Sequence, residues 1–377
     1  MFFVIMGLEI KKNTKYAEAN ITIIGVTNTY GHPQFVLVNS DEGENSQLKF
    51  PGLRFRAPLS EKQTLEDCAR QRFEEQTGLG VEKMLGLRAI VPTRSRHDNQ
   101  WLFRNVFLAR INAEKSRKND GRKVYLVNPG EGIQIRSESV FRFGESGKSI
   151  PLEWVTEDNR VIAEIARDIL YSFNWEKGDT DYLRRIPTVG VVPKAKDTNR
   201  ELGCGLAVSS MILLYRPSVK DSIKIIMLKR RGDEYPGYVG GKIETPDTNT
   251  DNLDPISCCA KEGSEEFGFP IIPRALLGVA HTSCDAPSGR YYNGITTYSF
   301  IAEPQNPRRA REALSNPRRF LEGGMEGYVV EDFPSHRDRI FRGDLRMPDN
   351  VAFGNLFFKT SPGRLIPLTQ IISSGID

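Results

Sequence analysis

Gly240-Gly241-Lys242-Ile243-Glu244, followed further on by Lys261-Glu262-Gly263-Ser264-Glu265-Glu266-Phe267-Gly268-Phe269, is the stretch on which the reading of this chain turns. If residues 258–267 are helical, Glu262, Glu265 and Glu266 stand at i, i+3 and i+4 and share one face within about one turn. Like charges crowded in that way repel, and a divalent cation between them removes the repulsion. Mg²⁺ is held by carboxylate oxygens and waters and in turn binds substrate phosphates. On its own the pattern is more often a solvated acidic stripe. Its context points the other way, because a Gly-Gly pair follows a strand-like run and Gly268 stands where a helix stops. Asp254-Pro255 supplies an N-cap and a first helical position, so the helix begins there and the residues before it form a loop.

Working outward, the same order of elements occurs twice. In the second half, residues 206–215 and 223–228 read as strands, followed by the Gly-Gly loop, the acidic helix, and strands near 276–281 and 296–302. In the first half, strands at 20–27 and 34–38 lead to Phe50-Pro51-Gly52-Leu53, a helix over 64–76 closed by Gly78-Leu79, and strands near 87–91 and 101–109. Each half then ends on an aromatic-apolar strand, 152–155 and 328–330, with a helix over 160–173 after the first and less regular segments after the second. The segment 174–188 places the boundary, giving domains of 1–178 and 179–377. A polar insertion at 303–324 carries Arg308-Arg309, Arg311 and Arg318-Arg319, and covers the substrate or meets a longer polyanion.

Composition bounds the rest. With 377 residues the chain can bury two ordinary cores, and a formal charge of +4 permits an anionic ligand without demanding a nucleic-acid groove. The five cysteines show no C-x-x-C spacing and the four histidines are scattered, which argues against a disulfide framework or a zinc site. Cys258-Cys259 reads as a buried stripe on the acidic helix. The apolar start at Met1-Phe2-Phe3-Val4-Ile5-Met6 is too short for a signal peptide or a membrane span, so a cytoplasmic protein without a membrane partner is expected.

The acidic stretch resembles the Nudix signature, G-x5-E-x7-R-E-U-x-E-E-x-G-U with U a bulky apolar residue. Gly241 matches its first glycine, Glu262, Glu265 and Glu266 its acidic trio, and Gly268-Phe269 its closing pair. Lys261 stands in place of the arginine, Gly263 of the first apolar residue and Asp247 of the early glutamate, while residues 248–260 replace the seven-residue spacer. The first half carries an echo in Gln71-Arg72-Phe73-Glu74-Glu75-Gln76-Thr77-Gly78-Leu79, where Arg72 and Gln76 replace two of the three acids. That copy is not expected to bind a catalytic metal.

The resemblance implies an α/β fold, two tandem α/β/α sandwiches on mixed sheets, the first degenerate. It further implies metal-dependent hydrolysis of a phosphoanhydride bond in a nucleoside diphosphate derivative, with Mg²⁺ (or Mn²⁺) as cofactor. Glu262, Glu265, Glu266 and the Gly240 carbonyl would be its ligands, and Lys261 would balance the acids. The general base is one of the trio or a downstream acid, Glu326, with Glu322 and Glu331 competing. From residue type alone, Arg230 and Arg231 in Lys229-Arg230-Arg231 offer donors to phosphate, and Tyr238, with Tyr235, Tyr291 and Tyr292, offers a ring to a base. Two other readings stay open: a nucleotide-binding regulator that keeps the fold without turnover, and RNA-end processing supported only by the basic insertion and pI of 8.7. Oligomeric state is left open.

Overall fold

The computed structural model of the protein describes residues 17–29, 32–39, 48–53, 64–94, 101–116, 124–127, 139–142, 149–151, 157–191, 206–243, 254–282, 295–321, 324–361 and 364–371. The first half opens with strands β1 (Glu18–Thr29), β2 (His32–Asn39), β3 (Leu48–Lys49) and β4 (Gly52–Leu53). Helix α1 (Leu65–Thr77) and strands β5 (Leu79–Arg94), β6 (Trp101–Ser116), β7 (Val124–Val127), β8 (Ser139–Arg142) and β9 (Ser149–Pro151) follow, and helix α2 (Glu157–Ser172) closes it. A hairpin of β10 (Phe173–Asn174) and β11 (Asp179–Thr180) leads to β12 (Thr188–Val191).

The second half comprises β13 (Leu206–Tyr215), β14 (Lys224–Arg230), β15 (Val239–Lys242), helix α3 (Pro255–Phe267), β16 (Ile271–Thr282) and β17 (Ile295–Pro304). Then come α4 (Pro307–Ser315), α5 (Pro317–Phe320), β18 (Met325–Asp332), α6 (Phe333–Arg342) and α7 (Pro348–Lys359). The expected less regular ending of this half is two formed helices. Asp332 caps α6 by accepting from the Ser335 amide at 2.9 Å, and Pro348 takes the first turn of α7, where its missing N–H costs nothing.

Strand pairing repeats between the halves. β1 runs parallel to β6 and antiparallel to β2 and β4, as β13 runs parallel to β17 and antiparallel to β14 and β15. β5 pairs β6 as β16 pairs β17, and β2 pairs β7 as β14 pairs β18. The two sets join where Glu18 of β1 faces Leu206 of β13, making one mixed sheet. Alternating side chains feed opposite faces of such a sheet. On one face α1 and α3 cover a core that runs through both halves, from Phe73 and Phe107 to Phe267 and Phe300. On the other face α2 covers a first-half core around Phe35 and Ile169, while α6 and α7 cover a second around Ile212, Tyr238 and Phe353. Helices on both faces of a mixed sheet are the expected α/β/α sandwich.

The segment between the halves is packed. Leu183 and Ile186 are buried, and the nearly enclosed Arg88 guanidinium pairs with Asp179 and donates to the Leu183 carbonyl at 2.7 Å. Gln370, buried near the other end of the chain, donates to the carbonyls of Arg88 at 2.9 Å and Arg184 at 2.8 Å. The arginine-rich insertion forms α4 and α5, with Ala310 and Ala313 buried beneath it. The strand expected at 152–155 lies outside the described residues. Among the described residues no helix is long and apolar enough to cross a membrane.

Candidate functional site

Helix α3 starts where the sequence directs. The Asp254 carboxylate accepts from the amides of Ile256 and Ser257, both at 2.7 Å, and Pro255 takes the first turn. It ends at Gly268 with φ of 71°, a left-handed position that a side chain would strain. Phe320 of α5 seals this end, because a Cβ on Gly268 would lie 2.9 Å from the Phe320 Cβ and closer still to its carbonyl. The insertion is thus a prop under the C-terminus of α3, with Arg308, Arg309, Arg318 and Arg319 exposed on its outer side. Tyr328 of β18 donates to the Phe267 carbonyl at 2.7 Å, and burial pushes its hydroxyl up to about 12.

Two features set the helix against the sheet. Gly263 lies over Met211, whose Sδ sits 2.7 Å from where a Cβ would be, so the methionine supplies the bulk that the helix lacks. Gly241 on β15 makes room for the Glu262 carboxylate, since a Cβ there would overlap the carboxyl group and come 2.8 Å from its Cγ. Gly240 instead abuts backbone, with Ser210 Cα 2.9 Å from its missing Cβ. The Gly-Gly pair therefore has two duties: one residue lets two strands pair closely and the other seats a carboxylate.

Glu266, one turn on from Glu262, is mostly buried and pairs with Arg230 of β14 at 2.6 Å. The acidic face is balanced by Arg230, in place of the expected Lys261, which is exposed and makes no ion pair among the described residues. The Arg230 Nε is buried and without a hydrogen-bond partner among the described residues, so this guanidinium has donor capacity left over. Arg346 lies near both partners. Burial first, and the neighbouring Arg230 charge second, hold it below the usual arginine value, and its Nη1 lies 3.7 Å from Asp233. Glu265 is exposed on the same helix.

Other expected site residues lie elsewhere. Tyr238 is 2 % exposed and gives no ring to a ligand. Its hydroxyl pairs with His336 Nε2 at 2.8 Å, and His336 Nδ1 lies 3.1 Å from Glu331, which accepts from Arg339 at 2.7 Å. Burial works against the Glu331 carboxylate, but the bonds from His336 and Arg339 outweigh it and hold the carboxyl below its ordinary value. Glu331 is thus engaged by His336 and Arg339. Glu326 pairs with Lys229 at 3.3 Å. Ile226 and Leu228 face the α3 core while Ile225 and Met227 face the α6–α7 core, so Arg230 continues the first set and Lys229 the second. Glu266 and Glu326 thus hold neighbouring cations of β14 that leave the strand on opposite faces. Arg231 is exposed in a turn and its amide donates to the Gly324 carbonyl at 2.8 Å. Asp247, Glu322, Tyr291 and Tyr292 lie outside the described residues.

In the first half the equivalent positions are occupied by local bonds. Arg72 pairs with Glu75 at 2.6 Å, and Gln76 clamps the Gly52 backbone through bonds of 2.9 and 3.0 Å. Sequence reasoning missed Arg346 and the partly buried Asp349, whose carboxyl is raised by burial although it accepts from Thr297 at 3.2 Å. Nothing in Met347-Pro348-Asp349-Asn350 signals more than a helix start.

No model of a known protein family matches the chain, and no curated protein matches its sequence. Among solved structures it is similar to a NUDIX hydrolase from Nitrosomonas europaea, with 17% identity and a TM-score of 0.32 over 44% of this chain and 94% of that one. It is also similar to a mutT/nudix family protein from Listeria innocua, at 18% identity and TM-score 0.27 over 41% and 92% of the two chains. The C. elegans Ap4A hydrolase is similar at 12% and 0.27, over 41% and 95%. At these values the likeness says nothing of activity or substrate.

Among the described residues no three acidic, histidine or cysteine side chains converge as a ready-made metal cage. Mg²⁺ does not need one, because it is commonly held by one or two carboxylates and completed by water and substrate phosphates. The carboxylate of Glu262 in its glycine cradle, with Glu266 a turn away, fits that mode.

Proposed function

We propose that the face formed by α3, β14 and β15 hydrolyses a phosphoanhydride bond in a nucleoside diphosphate derivative. The observation that carries this reading is the Glu262 carboxylate seated on Gly241 beside the Glu266–Arg230 pair. Two carboxylates a turn apart, next to a guanidinium with a buried unused donor, suit a polyphosphate and its counter-cation together. Glu262 and Glu266, with Glu265 and the Gly240 carbonyl, would hold Mg²⁺ (or Mn²⁺), which supplies charge neutralisation at phosphate oxygens when bound.

In this reading Glu266 orients Arg230, and Arg230 donates to the phosphate being cleaved. Proton acceptance from water falls to Glu265, since Glu266 is engaged by Arg230 and Glu326 by Lys229. We further propose a tandem of two related domains, 1–178 and 179–377, with the first non-catalytic. The repeated strand pairing supports the tandem, and the bonds of Arg72 and Gln76 support the loss of activity.

The test is metal-dependent release of a nucleoside monophosphate from a panel of dinucleotides, nucleotide sugars and nucleoside triphosphates, using the wild type, Glu265→Gln and Glu266→Gln. Turnover that falls in both variants is expected. Absent turnover, or turnover indifferent to both changes, refutes the reading. A second reading, nucleotide binding without hydrolysis, draws on the direct ion pair that already neutralises Glu266. Thermal stabilisation by panel members without product would select it.

A further inference from the structure

Beneath helix α3 the side chain of Ser209 on β13 is wholly buried, and its hydroxyl has no hydrogen-bond partner among the described residues. An apolar residue would be more stable there, since a buried hydroxyl loses its bonds to water and here regains none. Ala207 and Met211, two residues to either side, belong to the core that α3 covers, so Ser209 points toward the helix as they do. Directly opposite it on β15 stands Gly241. Opposed residues of an antiparallel pair send their side chains to one face, with Cβ positions about 4.5–5.5 Å apart. The place that a Gly241 side chain would take is filled by the Glu262 carboxyl group, with Oε2 nearest. The inner face of the helix closes over the same spot, for Cys259 Sγ lies 3.9 Å from the Ser210 carbonyl and Gly263 rests on Met211. The unused hydroxyl and the seated carboxylate are therefore neighbours.

The first half supplies an internal comparison. Its β1–β4 pair keeps the same register, with Thr22 opposite Gly52 where Ser210 faces Gly240, and Ile21 opposite Leu53 where Ser209 faces Gly241. Counted back from the helix-ending glycines, Gly78 and Gly268, Arg72 takes the place of Glu262. Serine, glycine and glutamate thus occur together in one copy and are all replaced in the other. Were the serine a need of the sheet, β1 would share it, yet β1 has the buried Ile21 there. Ser209 belongs with Glu262.

We propose that Ser209 is a positioning residue for Glu262: its hydroxyl donates to the carboxylate oxygen turned toward the sheet and so directs the other oxygen outward for a divalent cation. The inference rests on the reading of α3 as the metal-binding face. A carboxylate offers two equivalent oxygens, and a donor fixed on one of them decides which is presented to a metal. The bond forms as the carboxylate settles for the cation, so the metal-free protein carries the hydroxyl idle and the loaded protein uses it.

The test measures the affinity of the full chain for Mn²⁺ by electron paramagnetic resonance, without substrate, and the unfolding midpoint in chelator. Ser209→Ala should weaken Mn²⁺ binding about tenfold or more and leave the metal-free midpoint unchanged or raised, because no existing bond is lost. Ser209→Thr, which restores a hydroxyl, and Ser210→Ala, on the opposite face of the strand, should bind Mn²⁺ as the wild type does. If the added methyl of threonine lowers the midpoint, Ser210→Ala alone serves as the comparison. Mn²⁺ binding that is lost in Glu262→Gln but intact in Ser209→Ala overturns the proposal and leaves the metal-binding face standing. A lowered metal-free midpoint in Ser209→Ala assigns the hydroxyl to packing and overturns it as well. Mn²⁺ binding that is absent in the wild type, or indifferent to Glu262→Gln, overturns the reading of the face and the proposal with it.

Discussion

Replacing Gly241 by alanine should separate activity from stability. The backbone at Gly241 is outside the left-handed region, so alanine adds no φ strain there. Its Cβ, however, takes the position of the Glu262 carboxyl group and would stand 2.8 Å from Glu262 Cγ. The atoms that must yield are the far end of a flexible side chain. Turning that side chain off its rotamer costs about 0.5–1.5 kcal/mol, which the lower chain entropy of alanine in the unfolded state offsets by about 0.4–1 kcal/mol. The unfolding midpoint should therefore barely move. Displacing a carboxylate that orients a metal site lowers activity by about 10–100-fold. Gly240→Ala is the control with the opposite outcome, because its Cβ meets the Ser209 carbonyl and lies 2.9 Å from Ser210 Cα. Backbone of a paired strand cannot swing aside, so about 1–3 kcal/mol of stability is lost. Thermal unfolding and kcat/KM on the best panel substrate read both effects. Wild-type kcat/KM in Gly241→Ala would refute the assignment of the site to Glu262, and unchanged stability in Gly240→Ala would refute the packing account.

Two further outcomes are expected. Tyr238→Phe strands the buried His336 Nε2 and should cost about 1–3 kcal/mol in denaturant unfolding while leaving kcat/KM intact; a lower kcat/KM at unchanged stability would return Tyr238 to the substrate. Burial holds His281 neutral with its pKa lowered to about 4, beside Thr296 at 3.1 Å. The unfolded chain takes up that proton near its ordinary value of about 6.5 while the folded chain does not, so stability drains as pH falls between those values, by about 3 kcal/mol in all. Unfolding midpoints across that window should flatten in His281→Gln, and an equally steep dependence in the variant would sink the assignment.

The acidic helix was legible because its signals are local. Asp254, Pro255 and Gly268 fix its ends by backbone chemistry that needs no tertiary partner. The strands and the repeat were legible for a similar reason, since period and order survive in the sequence. Charge partners were not legible. Lys261 is the nearest cation in sequence to Glu262, yet the salt bridge on this face runs from Arg230 to Glu266, thirty-six positions apart, because β14 is paired with β13, one of the strands on which the helix packs. Tyr238 reads as a loop aromatic until His336, ninety-eight positions later, occupies its hydroxyl. The insertion reads as polar loop because its helices bury only Ala310 and Ala313, a signal too thin to see against its arginines.

The junction of β1 with β13 bears on how the molecule folds and on what its first half contributes. The amides of Ala17, Ala207 and Ile243 close a small ring of bonds of 2.9, 2.9 and 3.0 Å across that seam, and Phe103 meets Tyr298 edge-on at 5.8 Å beneath it. Cutting the chain between the halves would bare strand edges and an aromatic cross-section of core, the surface that drives aggregation. Either half expressed alone should be insoluble, and the whole should melt in one cooperative step. If the first half is non-catalytic, as proposed, it serves the second as a permanent chaperone, covalently supplied at fixed stoichiometry.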